Sequence, residues 1–385
     1  VMYTDEEICS SIGNRESNEY GAVSPPIYQT SIFTFEDFRA FVDAQKNERE
    51  NYVYTRGVNP SVQFLEEKIA LLERGEKCKC FGSGMGAISA VFHSLLESGD
   101  HVLFMNNIYG PTLELAKHLS KFNIEYDVLE PDVFKLEEAI KPNTKMIYLE
   151  SPGTMLMKVL DLRKVADIAK KHRIITAIDN TWSTPIYQKP LTLGIDISIH
   201  SLTKYIGGHS DVMGGAVIGQ KSLIDRIFKI GHQLNGAVLS PNDAFLITRG
   251  LRTLPLRLKQ HQESVKKVIE YLQTKEDVTK IYHPSIEEKD FLSEQMLGYS
   301  GLFSFVLKDP SFAKVSKFIS SLQLFKIGVS WGGYESLVIS PLKDNNEEIL
   351  EMQGIPIGII RLSVGLEGSE LQISDLEQAF QKLKE

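Results

Sequence analysis

Residues 174–205 read IITAIDNTWSTPIYQKPLTLGIDISIHSLTKY, and the reading of the fold starts there. Ile174-Ile175-Thr176-Ala177-Ile178 is an apolar, β-branched run that closes on Asp179. A short run of this kind reads as a buried strand. A second run, Ile195–His200, leads into Ser201-Leu202-Thr203-Lys204-Tyr205, with Lys204 25 positions after Asp179. A strand-end carboxylate followed by an amine between hydroxyls suits pyridoxal phosphate (PLP). That cofactor needs an amine for its Schiff base, a carboxylate on its pyridinium nitrogen and donors for its phosphate. Lys204 is one of 42 Lys and Arg residues, so the case depends on what the rest of the chain supplies.

Outward from this stretch, apolar runs alternate with helical ones. Val62–Leu72 places Phe64, Leu65, Ile69 and Leu72 at helical spacing. Cys78–Phe81, His101–Met105, Ile124–Leu129 and Lys145–Glu150 read as strands, and Gly84–Leu96, Thr112–Phe122 and Leu162–His172 as helices. The alternation predicts an α/β fold, a mainly parallel sheet with helices on both faces. Ligands in such sheets bind at the carboxyl ends of strands, where Asp179 and the Lys204 segment fall. Past about residue 240 the texture changes. A helical region Asp243–Leu272 broken near Pro255, strands at Gly301–Val306 and Ile359–Leu362, and an amphipathic helix Leu371–Leu383 predict a smaller α+β domain. The expected organisation is an irregular N-terminal arm over 1–50, packed on a neighbouring subunit or on another domain, a cofactor-binding α/β domain over 51–240 and a C-terminal domain over 241–385.

Bulk properties exclude several classes. The 385 residues, 42% hydrophobic and 24% charged, are ordinary for a globular chain of two or three packed units. A net charge of −8 argues against nucleic-acid and anionic-membrane partners. No apolar stretch approaches the roughly 20 residues of a membrane span. The start, Val1–Glu7, is acidic and polar, unlike a secretory signal. Cys9, Cys78 and Cys80 are too few and too odd for a disulfide framework, so a reducing, cytoplasmic setting is expected. Cys78-x-Cys80 lacks the spacing of a zinc or redox pair, and no metal site is expected.

Several residues could complete a PLP site. Gly82-Ser83-Gly84-Met85-Gly86-Ala87, between a strand and a helix, lets backbone N–H groups approach an anion. A dinucleotide loop looks similar, but it needs an acidic residue at the end of the second strand, where Asn106-Asn107 stand. Ser201 and Thr203 offer hydroxyls to the same phosphate. Tyr54 and Arg56 either add two phosphate donors or form a surface pair. Asp179 would keep the pyridinium protonated, and Tyr109 sits where an aromatic ring could lie on the cofactor. Arg361, inside an apolar strand, needs a partner: a substrate carboxylate or a structural ion pair.

With these residues in place, the chain resembles the Cys/Met-metabolism family of PLP enzymes, from about Gly21 to the C-terminus. The motifs are Tyr54-Thr-Arg-Gly-Val-Asn-Pro, Gly82-Ser-Gly-Met, Glu150-Ser-Pro-Gly, Asp179-Asn-Thr-Trp, Ser201-Leu-Thr-Lys-Tyr, Gly208-His-Ser-Asp, Arg249-Gly-Leu-Arg-Thr-Leu, Ser330-Trp-Gly-Gly-Tyr-Glu-Ser-Leu and Arg361-Leu-Ser-Val-Gly-Leu-Glu. The resemblance implies that Lys204 carries PLP, Asp179 pairs with its ring nitrogen and Tyr109 stacks on the ring and assists proton transfer. Gly84, Met85, Ser201 and Thr203 would hold the phosphate, with Tyr54 and Arg56 reaching that of a neighbouring subunit in a homotetramer. Arg361, with Ser330, Trp331 and Val329 beside it, would bind the sulfur amino acid. Gly153 and Trp331 resemble the bacterial cystathionine β-lyase branch. Val329 stands where γ-lyases and γ-synthases usually carry Glu, but also departs from the Tyr of the best-known β-lyases. Pro111 replaces a Cys typical of methionine γ-lyases. The expected activity is β-cleavage of L-cystathionine in methionine and cysteine metabolism. A γ-lyase or γ-synthase is the alternative, and cysteine desulfhydration or racemisation would use the same lysine. A non-catalytic nucleotide-binding module built on the 82–87 turn is the reading of another class.

Overall fold

The computed structural model describes residues 3–10, 20–105 and 107–385; Asn106 and residues 1, 2 and 11–19 of the expected arm lie outside them. Seven strands form the larger sheet: β1 (Lys77–Phe81), β2 (His101–Met105), β3 (Glu125–Leu129), β4 (Thr144–Glu150), β5 (Ile175–Asp179), β6 (Ile197–Ser201) and β7 (Gly215–Gly219). Their order is β1-β7-β6-β5-β4-β2-β3. The pairings from β6 through β3 are parallel, whereas β7 is antiparallel to β6 and β1. The sheet is mainly parallel, as the alternation predicts. β7 is the strand the sequence reading missed. The chain reaches it from β6 through a loop with no crossover helix, which an antiparallel pair allows.

Helices cover both faces because alternate strand residues point opposite ways. On the first strand pair, α1 (Pro60–Glu73) packs with Cys78, Cys80, Ala216 and Ile218. On one face, α2 (Gly84–Leu95) packs with Val102, Phe104, Met146, Tyr148 and Ala177. α3 (Gly110–Leu119) follows β2 on that side. On the other face, α4 (Leu162–His172) packs with Leu103, Met105, Ile147, Leu149 and Ile178. Two covered faces explain why these strands read as nearly continuous apolar runs.

After β7, α5 (Pro241–Arg252) and α6 (Leu254–Leu272) lead to a second sheet. The expected break falls at Thr253, with Pro255 in the first turn of α6, where its missing N–H costs nothing. The second sheet holds β8 (Val278–Tyr282), β9 (Leu302–Leu307), β10 (Lys326–Ile327), β11 (Leu337–Ile339) and β12 (Ile359–Ser363), in the order β10-β11-β12-β9-β8. α7 (Phe312–Ser321) and α8 (Ser369–Lys384) cover it, with Phe305, Phe318 and Phe380 at the core. β10 and β11 are too short to show a period, which is why the reading missed them.

The N-terminal segment departs from an irregular arm. Asp5–Ser10 is a helical turn whose Ile8 and Cys9 are buried in this chain's own core with Leu65, Ile69 and Leu258. Lys68 Nζ donates to the Ile8 carbonyl at 2.7 Å. Its apolar pair is short but enough to dock one turn on α1. All three cysteines are buried and free. No helix among the described residues is long and apolar enough to cross a membrane.

Candidate active site

Strand register assembles the site. Glu150 pairs with Asp179 across β4 and β5, and β5 pairs with β6, which ends at Ser201. Three adjacent carboxyl ends therefore present Glu150, Asp179 and Ser201. On the other side of β6, Ser201 pairs with Gly215, which pairs with Phe81. The glycine turn after Phe81 thus lies two strands from Ser201. A Cβ at Gly215 would sit 2.1 Å from the Ser83 carbonyl oxygen, and one at Gly84 would sit 3.0 Å from Ser201 Cβ. Only glycine fits at 215, and a side chain at 84 would press on Ser201. The Ser83 hydroxyl accepts the Gly86 N–H at 2.9 Å. The Gly84 and Met85 N–H groups, at the head of the twelve-residue α2, have no acceptor among the described residues. Free N–H groups at a helix start, next to a serine hydroxyl, make an anion cradle.

Asp179 accepts from the Thr181 N–H at 3.0 Å and from the Thr181 hydroxyl at 2.5 Å. That hydroxyl also accepts the Ser201 N–H at 2.8 Å, so Thr181 ties the ends of β5 and β6 together. Behind them, buried Glu73 accepts from Asn180 Nδ2 at 3.0 Å and from Ser198 Oγ at 2.8 Å, and pairs with His200. The Thr203 hydroxyl accepts the Gly214 N–H at 3.2 Å. Lys204 Nζ lies 5.7 Å from the centre of the Trp331 ring. Burial pushes the Lys204 ammonium below the usual lysine range, with Asp179 opposing and Arg361 reinforcing the shift.

The second sheet brings the remaining residues. Among the described residues Arg361, on β12, has a single long bond, from Nη2 to the Ser330 carbonyl at 3.4 Å. No carboxylate lies within ion-pair distance of it among the described residues, so the structural ion pair considered from sequence is absent there. Burial pushes Arg361 down to about 10, while Glu150, Tyr109 and Tyr205 favour its charge. Ser330 holds a left-handed backbone (φ 76°), a conformation that persists only when the surroundings impose it. Trp331 packs on Tyr205 at 5.5 Å, and Val329 is 77% exposed beside them. The Tyr109 N–H donates to Glu150 Oε2 at 2.7 Å, and the Thr154 hydroxyl donates to Glu150 Oε1. Burial and then the Asp179 charge push the Glu150 carboxyl up to about 8.

The structure thus groups Lys204, Asp179, Ser201, Gly84, Met85, Tyr109, Ser330, Trp331 and Arg361. Tyr54 and Arg56 stand apart. Both are exposed, the Arg56 guanidinium lies 5.2 Å over the Tyr54 ring, and Arg56 Nε donates to Gln233 at 3.3 Å. Sequence reasoning gave no role to Glu150, Thr181 or Gly215. Glu150 carried the same signal as Asp179, a carboxylate closing an apolar strand; Gly215 and Thr181 had no local signal, because their roles arise from register. The cradle, the strand-end carboxylate and the recessed amine fit PLP.

Comparison with known proteins agrees. The profile of the family described as Cys/Met metabolism PLP-dependent enzyme matches residues 8–381. The chain is 39% identical over 377 residues to an L-methionine gamma-lyase of Fusobacterium nucleatum subsp. polymorphum, covering 95% of each. It is 39% identical over 372 residues to a cystathionine beta-lyase of Lactococcus lactis subsp. cremoris (strain MG1363), covering 94% of this chain and 95% of the relative. The crystal structure of a cystathionine gamma synthase from Xanthomonas oryzae pv. oryzae, in complex with aminoacrylate and cysteine, superposes with a TM-score of 0.92 at 34% identity, covering 100% of this chain and 99% of the other. Relatives that cut different bonds stand at the same identity, so identity does not choose among them.

Proposed function

The chain belongs to the Cys/Met-metabolism family of PLP-dependent enzymes, and from that premise we propose that it is a carbon–sulfur β-lyase. Its substrate would be L-cystathionine, and also L-cysteine or related thioether amino acids. With water, L-cystathionine would yield homocysteine, pyruvate and ammonia.

The Gly84 and Met85 N–H groups, Ser201 and Thr203 would hold the phosphate, Asp179 the ring nitrogen, Tyr109 the ring face and Lys204 the Schiff base. Tyr54 and Arg56, free of the Lys204 group in their own chain, would reach a neighbouring subunit's phosphate in a homotetramer. PLP supplies a sink for the electron pair left at Cα when its proton departs. Arg361 would grip the substrate carboxylate bidentately, with no carboxylate of the described residues to displace. Lys204, pushed toward its neutral form by burial, removes the Cα proton as general base. The Lys204 ammonium or the Tyr109 hydroxyl then delivers a proton to the departing sulfur. The two sheets support a cofactor unit over 51–240 and a carboxylate-binding unit over 241–385. Three buried, unpaired cysteines fit a reducing cytoplasm.

Position 329 carries the β reading. γ-Elimination needs a second proton removed, from Cβ. Val329, 77% exposed next to Ser330, offers no proton-transfer group there. The test is a product assay on L-cystathionine, L-cysteine, L-methionine and O-acetyl-homoserine side by side. Pyruvate with homocysteine from L-cystathionine is the expected result. 2-Oxobutyrate with cysteine would replace it with the γ-lyase reading, and cystathionine formed from O-acetyl-homoserine and cysteine with the γ-synthase reading.

A further inference from the structure

One helix grips both halves of the site. α6 carries Arg257 and His261, four residues apart and therefore on one face. Arg257 is buried, and Nη1 donates to the Tyr205 carbonyl at 2.7 Å. Its Nη2 donates to the carbonyls of Gly250 at 2.6 Å and Ile206 at 3.4 Å, and its Nε to the Thr253 hydroxyl at 3.1 Å. The Tyr205 and Ile206 carbonyls directly follow Lys204. Gly208 closes over the guanidinium so tightly that a Cβ there would lie 2.0 Å from Nη1. One turn further along α6, fully buried His261 donates from Nδ1 to the Val364 carbonyl at 2.7 Å. Val364 is three residues after Arg361. The His261 ring also meets the Tyr205 ring edge-on at 5.2 Å. Four residues of α-helix rise about 6 Å, and that length is rigid.

We propose that Arg257 and His261 form a ruler: positioning residues that set the distance between the Lys204 amine and the Arg361 guanidinium, and so the seat of the substrate's Cα and carboxylate. The inference rests on the roles given above to Lys204 and Arg361. Neither ruler residue touches a reacting atom. One neutral bond crosses the same gap, from the Gly301 N–H to the Tyr205 hydroxyl at 2.9 Å, and one charge-assisted bond, from the Ser210 hydroxyl to the Glu335 carboxylate. Arg257, a charged fork with four acceptors, is the most extensive hold. Burial pushes His261 down to about 4, so its hold does not change across neutral pH.

Variants at the two ends should give different signatures. R257K keeps the charge but loses the fork. PLP affinity of the cofactor-free protein, read by fluorescence titration, should fall about tenfold, with KM for L-cystathionine within about twofold; a tenfold change corresponds to about 1.4 kcal/mol. H261L should raise KM about tenfold while PLP affinity and kcat stay within about twofold. H261N, which restores a side-chain donor near Nδ1, should return KM to near the parent value and also guards against misfolding of H261L. S94A, which removes a buried acceptor of the Gly231 N–H, serves as the stability control. Losses of kcat, KM and PLP affinity that simply track melting temperature, as in S94A, would overturn the ruler. K204A is measured in parallel: if it turned over normally, the role of Lys204 itself would fall, a different failure.

Discussion

Asp179 ends a strand of the seven-stranded sheet, and Arg361 lies within a strand of the five-stranded one. The carboxylate of Asp179 takes two donors from Thr181, which also ties down Ser201. Glu73, His200 and Asn180 brace the strand ends from behind. The guanidinium of Arg361 has one long bond to a carbonyl and no carboxylate among the described residues. Arg257 sharpens the contrast, since the same side chain, more deeply buried, is satisfied by three carbonyls and a hydroxyl. A half-buried guanidinium with so little protein contact is open to a carboxylate from a ligand. In the proposed assignment, the strand ends of the larger sheet would hold a resident group in fixed geometry, and Arg361 would take up a carboxylate brought by the substrate.

Four substitutions break or sharpen this contrast. K204A should lower kcat more than about a thousandfold, because the general base is gone; near-normal pyruvate release in a coupled assay would contradict the assignment. R361L should raise KM for L-cystathionine roughly tenfold to a hundredfold through loss of charge-assisted bonds. Its melting temperature should stay level or rise, since no protein ion pair is lost; a large drop would show that Arg361 holds the fold together. E150Q tests the carboxyl beside Asp179, raised from the usual 4.5 to about 8. A raised pKa means that the stability contributed by the protonated form is whole below pH 4.5 and is lost as pH climbs to about 8. E150Q fixes a neutral group that still accepts the Tyr109 N–H, so its melting temperature should gain on the parent progressively across that window. A pH-independent offset would remove Glu150 from the titration. V329E should have the smallest effect, a measurable rise in the 2-oxobutyrate fraction by chromatography with total turnover within about tenfold; an unchanged product ratio would separate position 329 from the choice of bond.

The two regions differ in how far the sequence displays them. Asp179, Ser201 and Lys204 fall within one 174–205 stretch where strand period and polar endings coincide, and the glycine turn opens the next legible helix. Arg361 was visible as a charge in an apolar run, but its neighbours Ser330 and Trp331 were visible only through the family resemblance. Ser330 and Trp331 follow β10, a two-residue strand, and only the small sheet's pairing brings them to Arg361. β7 stayed hidden for a similar reason, although Gly215 decides how closely Ser83 approaches Ser201. The Asp5–Ser10 turn was not legible either, because two apolar side chains suffice to dock it on this chain's own core.

The division of labour is tested most directly by reducing the PLP-loaded enzyme with borohydride and mapping the modified peptide by mass spectrometry. The expected result is a pyridoxyl group on Lys204 alone, in the Ser201–Tyr205 segment. A label on another lysine, or no covalent label on a PLP-saturated enzyme, would contradict the account.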